Sequence, residues 1–421
     1  MHRLAAILAA VFVVAAVVAQ ELGEGTFEGK RAPAAAPIRF TEFPVPAREA
    51  LDPELATRTA LEGLLALQEG EGSDQWPYEG VYREDRGQLP IGYRVGGTAI
   101  ACLALIAAPG YAEDEPRRAA LERGLRFVLA TLEHERMSLG FIGTYDVRGW
   151  GHIYALQLFL ELQDHGLVPE ALADELTEKT KGLVETLVGL AIPKSGGWNY
   201  SLRAGFGKER NRASTFMTAP ALQVLFHAQA RGHAVPELVL DEALDALDRA
   251  RSEPGAYAYG ASASTQNGVA EEELAMMDRV PSSAARATAV ETTLLLAGRG
   301  DPARHRRAVQ RFFDDWDALA VRKSQTGTHI PPYGIAPYYF LYGHLYAAQA
   351  IELLEDTTER EALRERMRAV LALSRDQDGT WNDRQFPRSA GYGTAMAILA
   401  LNLPRVHRPI ARLTGLGVKK G

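Results

Sequence analysis

Gln377-Asp-Gly-Thr-Trp381, followed by Gly391-Tyr-Gly-Thr-Ala-Met-Ala-Ile-Leu-Ala-Leu401, sets the pattern of the whole chain: a loop with glycine beside a large aromatic ring, then a helix of small and aliphatic residues. The same order stands upstream in Gly196-Gly-Trp-Asn-Tyr200 and Ser214-Thr-Phe-Met-Thr-Ala-Pro-Ala-Leu222. Recurrence of one loop–helix order marks a repeat architecture, in which each unit buries its apolar face only against its neighbours. Related loops are Gln75-Trp-Pro-Tyr78, Gly143-Thr-Tyr145, Gly255-Ala-Tyr-Ala-Tyr259 and the looser Thr328-His-Ile-Pro-Pro-Tyr333, which makes six.

Apolar periodicity places an amphipathic helix before each loop, near Leu55–Gln68, Ala119–Leu132, Leu176–Leu190, Leu238–Ala250, His305–Leu319 and Glu361–Ser374. A second, more apolar helix follows each loop, near Gly96–Ile106, Gly149–Leu162, Ala213–Ala230, Ser283–Leu296, Ala336–Leu353 and Gly391–Leu401. Glycine permits the left-handed turn after a helix, and the aromatic ring plugs the gap between hairpins. The second helices, rich in Ala, Gly, Thr and Leu, suit a tightly packed inner ring. Charges such as Asp245, Asp248, Arg249, Glu365, Arg366 and Arg368 put the first helices outside. Six such pairs predict an all-α fold, an (α/α)6 toroid, with an open α-solenoid as the alternative.

The chain has 421 residues, 47% of them hydrophobic and 24% charged, which suits a large buried core. A net charge of −7 with no dominant basic face speaks against nucleic acid as a partner. Met1-His2-Arg3, the apolar run Leu4 to Val18 and the small Ala19 read as a secretory signal spanning residues 1–19, so the mature chain is expected to begin at Gln20 and to be secreted or periplasmic. The competing reading is a retained anchor, but the run is short of the roughly 20 residues a membrane span needs. No membrane span is expected in the mature chain. Residues 20–50, with Arg31-Ala-Pro-Ala-Ala-Ala-Pro37 and Phe43-Pro-Val-Pro46, read as a Pro/Ala-rich linker, residues 51–405 as the toroid, and residues 406–421 as a basic tail with Arg408, Arg412, Lys419 and Lys420. Cys102, the one cysteine, allows no intrachain disulfide and reads as a small core residue.

On these loops and helices the chain resembles the prenyltransferase and squalene/hopene cyclase repeat family, whose members are terpenoid-cyclase-like α/α toroids. The likeness covers most of residues 51–405. It implies the fold, but the family's catalytic motifs are missing. A class II cyclase carries a DxDD acid at the head of an inner helix, where the fourth unit here has Pro281-Ser-Ser-Ala-Ala-Arg-Ala-Thr-Ala289. Asp314-Asp-Trp-Asp317 falls in an outer helix, where an acidic run is a solvated face. The zinc set of the prenyltransferases is absent too, since Cys102 has neither an Asp two positions away nor a nearby His–Cys pair. No cofactor or metal is expected, nor is turnover of squalene, oxidosqualene or linear prenyl diphosphates.

Candidate site residues come from positions that face a lumen or a rim. Tyr338, Tyr342 and Tyr346 recur at i, i+4, i+8, with Tyr339 and His344 beside them. Such a stripe suits an isoprenoid, a sterol-like molecule or a sugar ring, with plain packing as the competing reading. His152, near Arg148, Tyr145 and Asp146, could act as a base on a polysaccharide, against the reading of a hydrogen-bonded structural histidine. Asp146, Glu291 and Asp383 are the acids of interest. Arg94, Arg148, Arg212, Arg286 and Arg388 stand at or near the starts of inner helices, where unpaired N–H groups and dipole ends would join them in an anion-binding rim. Two functions stay open: a binding toroid for a small hydrophobic or anionic ligand or a cell-envelope protein or glycan, and an exported polysaccharide or isoprenoid enzyme.

Overall fold

The computed structural model describes residues 51–413 apart from 85–86, 142–145, 201–212, 254, 261–279, 326, 328, 330–332 and 407–408. The signal and linker, Tyr145, Arg212, Arg408, Lys419 and Lys420 lie outside the described residues. The first elements are α1 (Pro53–Ala66), α2 (Ile91–Ala107), α3 (Glu115–Leu132), α4 (Arg148–Asp164), α5 (Ala173–Leu190), α6 (Thr215–Ala230) and α7 (Glu237–Arg249). There follow β1 (Arg251–Glu253), β2 (Ala256–Tyr257), α8 (Val280–Leu296), α9 (Pro302–Asp314), α10 (Trp316–Ala320), α11 (Tyr339–Glu352), α12 (Thr357–Ser374) and α13 (Ser389–Val406).

Six helices, α2, α4, α6, α8, α11 and α13, pack side by side in that order, and α13 closes on α2. The fold is therefore a closed (α/α)6 toroid. Each outer helix lies on the inner helix before it, and α1 completes the ring by packing on α13. Two points differ from expectation. The fifth outer helix breaks at Asp315 into α9 and α10, and β1 pairs with β2 in a small antiparallel hairpin.

Glycines let the inner helices approach closely. A Cβ on Gly92 would lie 2.1 Å from the Val147 carbonyl oxygen, and one on Gly149 would lie 2.6 Å from that of Asn199. At those positions the first-turn amides are bonded to the next unit's loop: Gly92 N–H to Asp146 O at 2.8 Å, Gly149 N–H to Tyr200 O at 3.1 Å, and Thr215 N–H to Tyr259 O at 3.0 Å. Helix ends that would attract an anion are thus occupied by neighbouring carbonyls.

Three loops carry the same clasp. The indole N–H of Trp76, Trp198 and Trp381 donates to Leu64 O, Leu187 O and Leu371 O of the preceding outer helix, at 2.7, 2.8 and 2.9 Å. Their backbone N–H groups donate to Thr98, Thr218 and Thr394 Oγ1 on the following inner helix, at 3.0, 3.0 and 3.1 Å. Each buried ring so fills the corner between outer and inner helix with every polar group satisfied. Gly197 and Gly379, at φ of +78° and +86°, make the turns that aim two of these rings. Cys102 is buried, with its thiol pKa pushed up by burial, as suits a core residue.

Outer-to-inner connections run through residues 67–90, 133–147, 191–214, 250–279, 321–338 and 375–388, whereas the returns take only 108–114, 165–172, 231–236, 297–301 and 353–356. One mouth of the ring therefore carries all the long loops. At the other mouth the tail leaves α13, bonds to Leu296 O through Arg412 N–H at 2.9 Å, and sets the Arg412 guanidinium on Asp241 at 2.8 Å and on Glu237.

Candidate functional site

A column of aromatic rings crosses the middle of the ring. Tyr78 meets Tyr93 and Tyr392 edge-on, with centroids 5.1 and 4.8 Å apart, and Trp150 lies 6.0 Å from Tyr392 and 5.3 Å from Tyr154. Tyr154 and Tyr346 touch through their hydroxyls at 3.4 Å, Tyr346 packs on Tyr342 at 4.4 Å, and Tyr342 stacks on Phe216 at 4.0 Å. The phenols of Tyr78, Tyr342, Tyr346 and Tyr392 are pushed well above their ordinary values by burial, and so stay neutral. The expected stripe of Tyr338, Tyr342 and Tyr346 is real and inward, but Tyr342 is enclosed and bonds to Phe216 O at 3.3 Å.

At the long-loop mouth the column ends in half-buried rings: Tyr259, His329 and Tyr338. His329 lies edge-on to Tyr259 at 5.0 Å and to Tyr339 at 5.6 Å. Two buried arginines, Arg286 and Arg384, and the half-buried Arg322 lie beneath or beside them. Arg286 on α8 donates to Tyr257 O at 2.9 Å and Ser282 O at 3.1 Å, and its guanidinium lies over Tyr339 and Tyr259 at 5.0 and 5.6 Å. Arg322 donates to Ile335 O at 3.0 Å, and burial, together with Arg384, lowers its pKa. Arg384 donates to Tyr78 Oη at 2.9 Å and Gly327 O at 3.0 Å, and lies over Tyr338 at 5.4 Å. His329 is pushed down to about 4, first by burial and further by Arg286, Arg384 and Arg322, against a hydrogen bond to Gly334 O that favours its charge.

The clasp of the sixth unit leads into Arg384. After Trp381, the Asn382 side chain accepts from Arg384 N–H at 2.9 Å and donates to Phe386 O at 2.9 Å, an Asx-type turn that holds the loop in place. The same turn buries Asp383 completely, and neither carboxylate oxygen has a hydrogen-bond partner among the described residues. Burial pushes its pKa up to about 7, against the pull of Arg384, its own amide and Lys323. Such a carboxyl is costly to hold and is a mark of functional sites.

The predicted arginine rim does not form. Arg94 donates to Gln75 Oε1 at 2.9 Å and lies over Phe127 of the outer helix α3. Arg148, wholly buried, stands 3.3 Å from Asp146 and donates to Ser138 O and Phe141 O at 2.6 Å each. Arg388 reaches Glu69 at 2.9 Å across the α13–α2 seam. Arg286, as buried as Arg148, is the described member whose guanidinium lies at the mouth, over the rings of Tyr259 and Tyr339. The reason is register: Arg148 is the first residue of α4, Arg94 the fourth of α2, Arg286 the seventh of α8, and Arg388 precedes α13, so the side chains leave their helices in different directions. His152 is buried, with Nε2 2.9 Å from Met137 O and its pKa pushed down to about 4 by burial. Asp146, Glu291 and Asp383 do not meet, since Glu291 takes the Tyr257 hydroxyl at 2.6 Å and Arg304 at 3.2 Å.

The sequence reading missed Arg322, Arg384, His329 and Tyr259. The nearest signals were Arg384 within the loop of the best-formed repeat and His329 within the most degenerate one. Among the described residues no three of His, Cys, Asp and Glu gather closely enough to hold a metal ion. No helix among them is long and apolar enough to cross a membrane.

No family model matches the chain. No curated protein matches it. Solved structures do. A GH76A α-1,6-mannanase from Salegentibacter sp. is 12% identical, with 84% of this chain and 99% of that one covered at a TM-score of 0.51. A type II terpene cyclase from Scytonema is 13% identical over 83% of this chain and 96% of its own, at 0.46. A possible member of the GH105 family from Klebsiella pneumoniae is 12% identical over 90% and 96%, at 0.46. At these identities the likeness is one of fold, and the mannanase alignment supports the (α/α)6 toroid.

Proposed function

We propose that the long-loop mouth is a binding site for a small anionic ligand with a ring-shaped or apolar body. The body rests on the half-buried Tyr259 and Tyr338, and the negative group turns toward the half-buried Arg322, with the buried Arg286 and Arg384 behind the rings. One observation carries this reading: the guanidiniums of Arg286 and Arg384 lie over Tyr259 and Tyr338, the two half-buried rings that flank His329. Guanidiniums gathered behind aromatic rings draw an anion to the mouth. Arginine's planar fork suits a carboxylate or phosphate, while phenol faces suit a sugar ring or an apolar body. The signal-like start supports an encounter outside the cytoplasm, where uronate-containing glycan fragments belong to this ligand class.

The test is titration of the full chain with oligogalacturonate and inorganic phosphate at low salt, with Arg322→Gln and Arg384→Gln compared against Arg94→Gln and Arg388→Gln. Loss of a charge-assisted hydrogen bond at the mouth is expected to weaken binding by about tenfold or more. The two controls, whose side chains are engaged elsewhere, are expected to leave it unchanged. Equal effects in all four variants, or no binding by the parent, would refute the reading.

A further inference from the structure

A cavity of about 370 Å³ opens in the outer wall between the second and third units, formed by the end of α3, the turn after it, the first turns of α4 and the middle of α5. Its volume falls in the range of small-molecule sites. The imidazole of His152 makes part of its floor, and the residue is only 3% exposed. His152 Nε2 lies 2.9 Å from the Met137 carbonyl oxygen; a carbonyl only accepts, so Nε2 carries the hydrogen and Nδ1 keeps a lone pair. That lone pair has no partner among the described residues. With its pKa held down at about 4 by burial, the ring is uncharged at neutral pH and offers only an acceptor. A buried acceptor without a donor is unfavourable, and a ligand hydroxyl or N–H would satisfy it.

The lip of the cavity is set before any ligand arrives. Val147, buried and β-branched, stands at φ +55°, a left-handed conformation that such a residue keeps only where its surroundings enforce it. Arg148 beside it donates to Ser138 O at 2.6 Å, so Met137 and Ser138 are both tied to α4. Leu132, Met137 and Leu183 make the rest of the floor apolar. At the rim Glu133, Glu178 and Glu185 stand against Lys179 and Lys181, which leaves one negative charge in excess. Lys179 pairs with Glu133 and Lys181 faces Glu185 at 4.0 Å, while Glu178 has no ion-pair partner among the described residues. Between Glu178 and Glu185 on the same face of α5, a Cβ added to Gly182 would meet nothing within 4 Å.

We infer that this cavity binds a small aromatic amine, with its ammonium at Glu178, its ring on Leu132, Met137 and Leu183, and a ring hydroxyl or N–H donating to His152 Nδ1. Each part of the ligand answers one feature of the site. The ammonium meets the excess carboxylate, the ring gains from the thioether and the leucines, and the ring donor fills the one buried acceptor. A carboxylate in place of the ammonium would face like charge at the rim. The cavity lies on the outside of the ring, so the inference does not depend on the anion site at the mouth.

The test is calorimetric titration of the full chain with tyramine and with phenethylamine, which has the same ring and ammonium but no hydroxyl. Tyramine is expected to bind about tenfold or more tighter, because phenethylamine leaves Nδ1 without a donor. Glu178→Gln is expected to weaken both amines by about two- to fivefold, with the difference lost at high salt. His152→Leu is expected to bring tyramine down to the affinity of phenethylamine. Gly182→Met, at a position with room for its side chain, is expected to fill the cavity and abolish binding of both, with the fold verified by circular dichroism. The comparison of the two amines on the parent and the Gly182→Met variant do not depend on His152→Leu folding. A parent that binds neither amine, or binds both equally, overturns the inference. So does tyramine affinity that survives Gly182→Met, or displacement of tyramine by 4-hydroxyphenylacetate, which keeps the ring donor but carries a carboxylate.

Discussion

Units one, three and six of the ring are held by tryptophan clasps, whereas units four and five have other contacts in the same corner. In unit four Tyr257 takes the place of the tryptophan and donates to the buried Glu291 at 2.6 Å. In unit five Trp316 sits on the outer side and donates to His344 Nε2 at 2.9 Å. The clasped units contribute mostly rings and backbone, with Arg384 as the exception. The unclasped pair supplies Tyr259, Arg286, Arg322, His329 and Tyr338. Regular packing and satisfied polar groups fix the scaffold, and departure from the repeat is where charged and titratable groups gather.

The largest expected effect tests the clasp itself. Trp381→Ala empties a fully enclosed site and removes a hydrogen bond to Leu371 O, and is expected to cost about 3–5 kcal/mol. Trp316→Ala, at a ring that keeps 8% exposure, is expected to cost less. Urea unfolding of both variants measures the difference, and equal losses would erase the distinction between the two kinds of unit.

Next is Asp383, which joins a clasp to the mouth. Its folded value of about 7 lies above the ordinary carboxyl value, so the native state holds its proton more tightly than the unfolded chain. The stability this gives is fully present below about pH 4 and is lost as pH rises toward 7. His152, His305, His329 and His344, each held at about 4, act in the opposite sense, adding stability as pH rises from there toward the ordinary histidine value. The comparison of Asp383→Asn with the parent isolates the carboxyl. The variant is expected to gain on the order of 2–4 kcal/mol relative to the parent between pH 4 and 8, and a parallel pair of stability–pH curves would contradict the assignment.

Thr394→Val removes the acceptor of the Trp381 backbone N–H at nearly constant volume and is expected to cost about 1–3 kcal/mol, with Thr98→Val and Thr218→Val alike. Thermal unfolding checks this, and a silent substitution at all three would mean that the clasp rests on the indole alone. The smallest effect is at the seam. Arg388→Gln breaks a half-exposed pair with Glu69 and is expected to cost no more than about 1 kcal/mol, with loss at high salt of whatever difference is seen.

Much of the scaffold was legible because its signals are local. Alternating apolar faces, Gly-aromatic loops and Ala/Gly-rich second helices announce twelve helices, and these appear with ends shifted by a few residues. The break at Asp315 was not announced, because the amphipathic pattern runs on through Asp314-Asp-Trp-Asp317, and the contact of Trp316 with His344 just beyond it is a tertiary one. The anion rim failed for a similar reason. Proximity of an arginine to a helix start is visible in a sequence, but the direction in which it leaves the helix and the carbonyl already bonded to the amide beside it are not.

By itself, then, the sequence determined the repeat, the all-α class and the absence of a DxDD acid, since each follows from residue type and periodicity along one stretch of chain. Only the tertiary structure decided that the ring closes by α13 on α2, and that Arg94, Arg148 and Arg388 are spent on separate partners. It also decided that Arg286 and Arg384 lie over the tyrosines that flank His329. Those residues come from three different units, and what brings them together is the curvature of a closed ring, which sums packing angles over every helix and is written in no single segment.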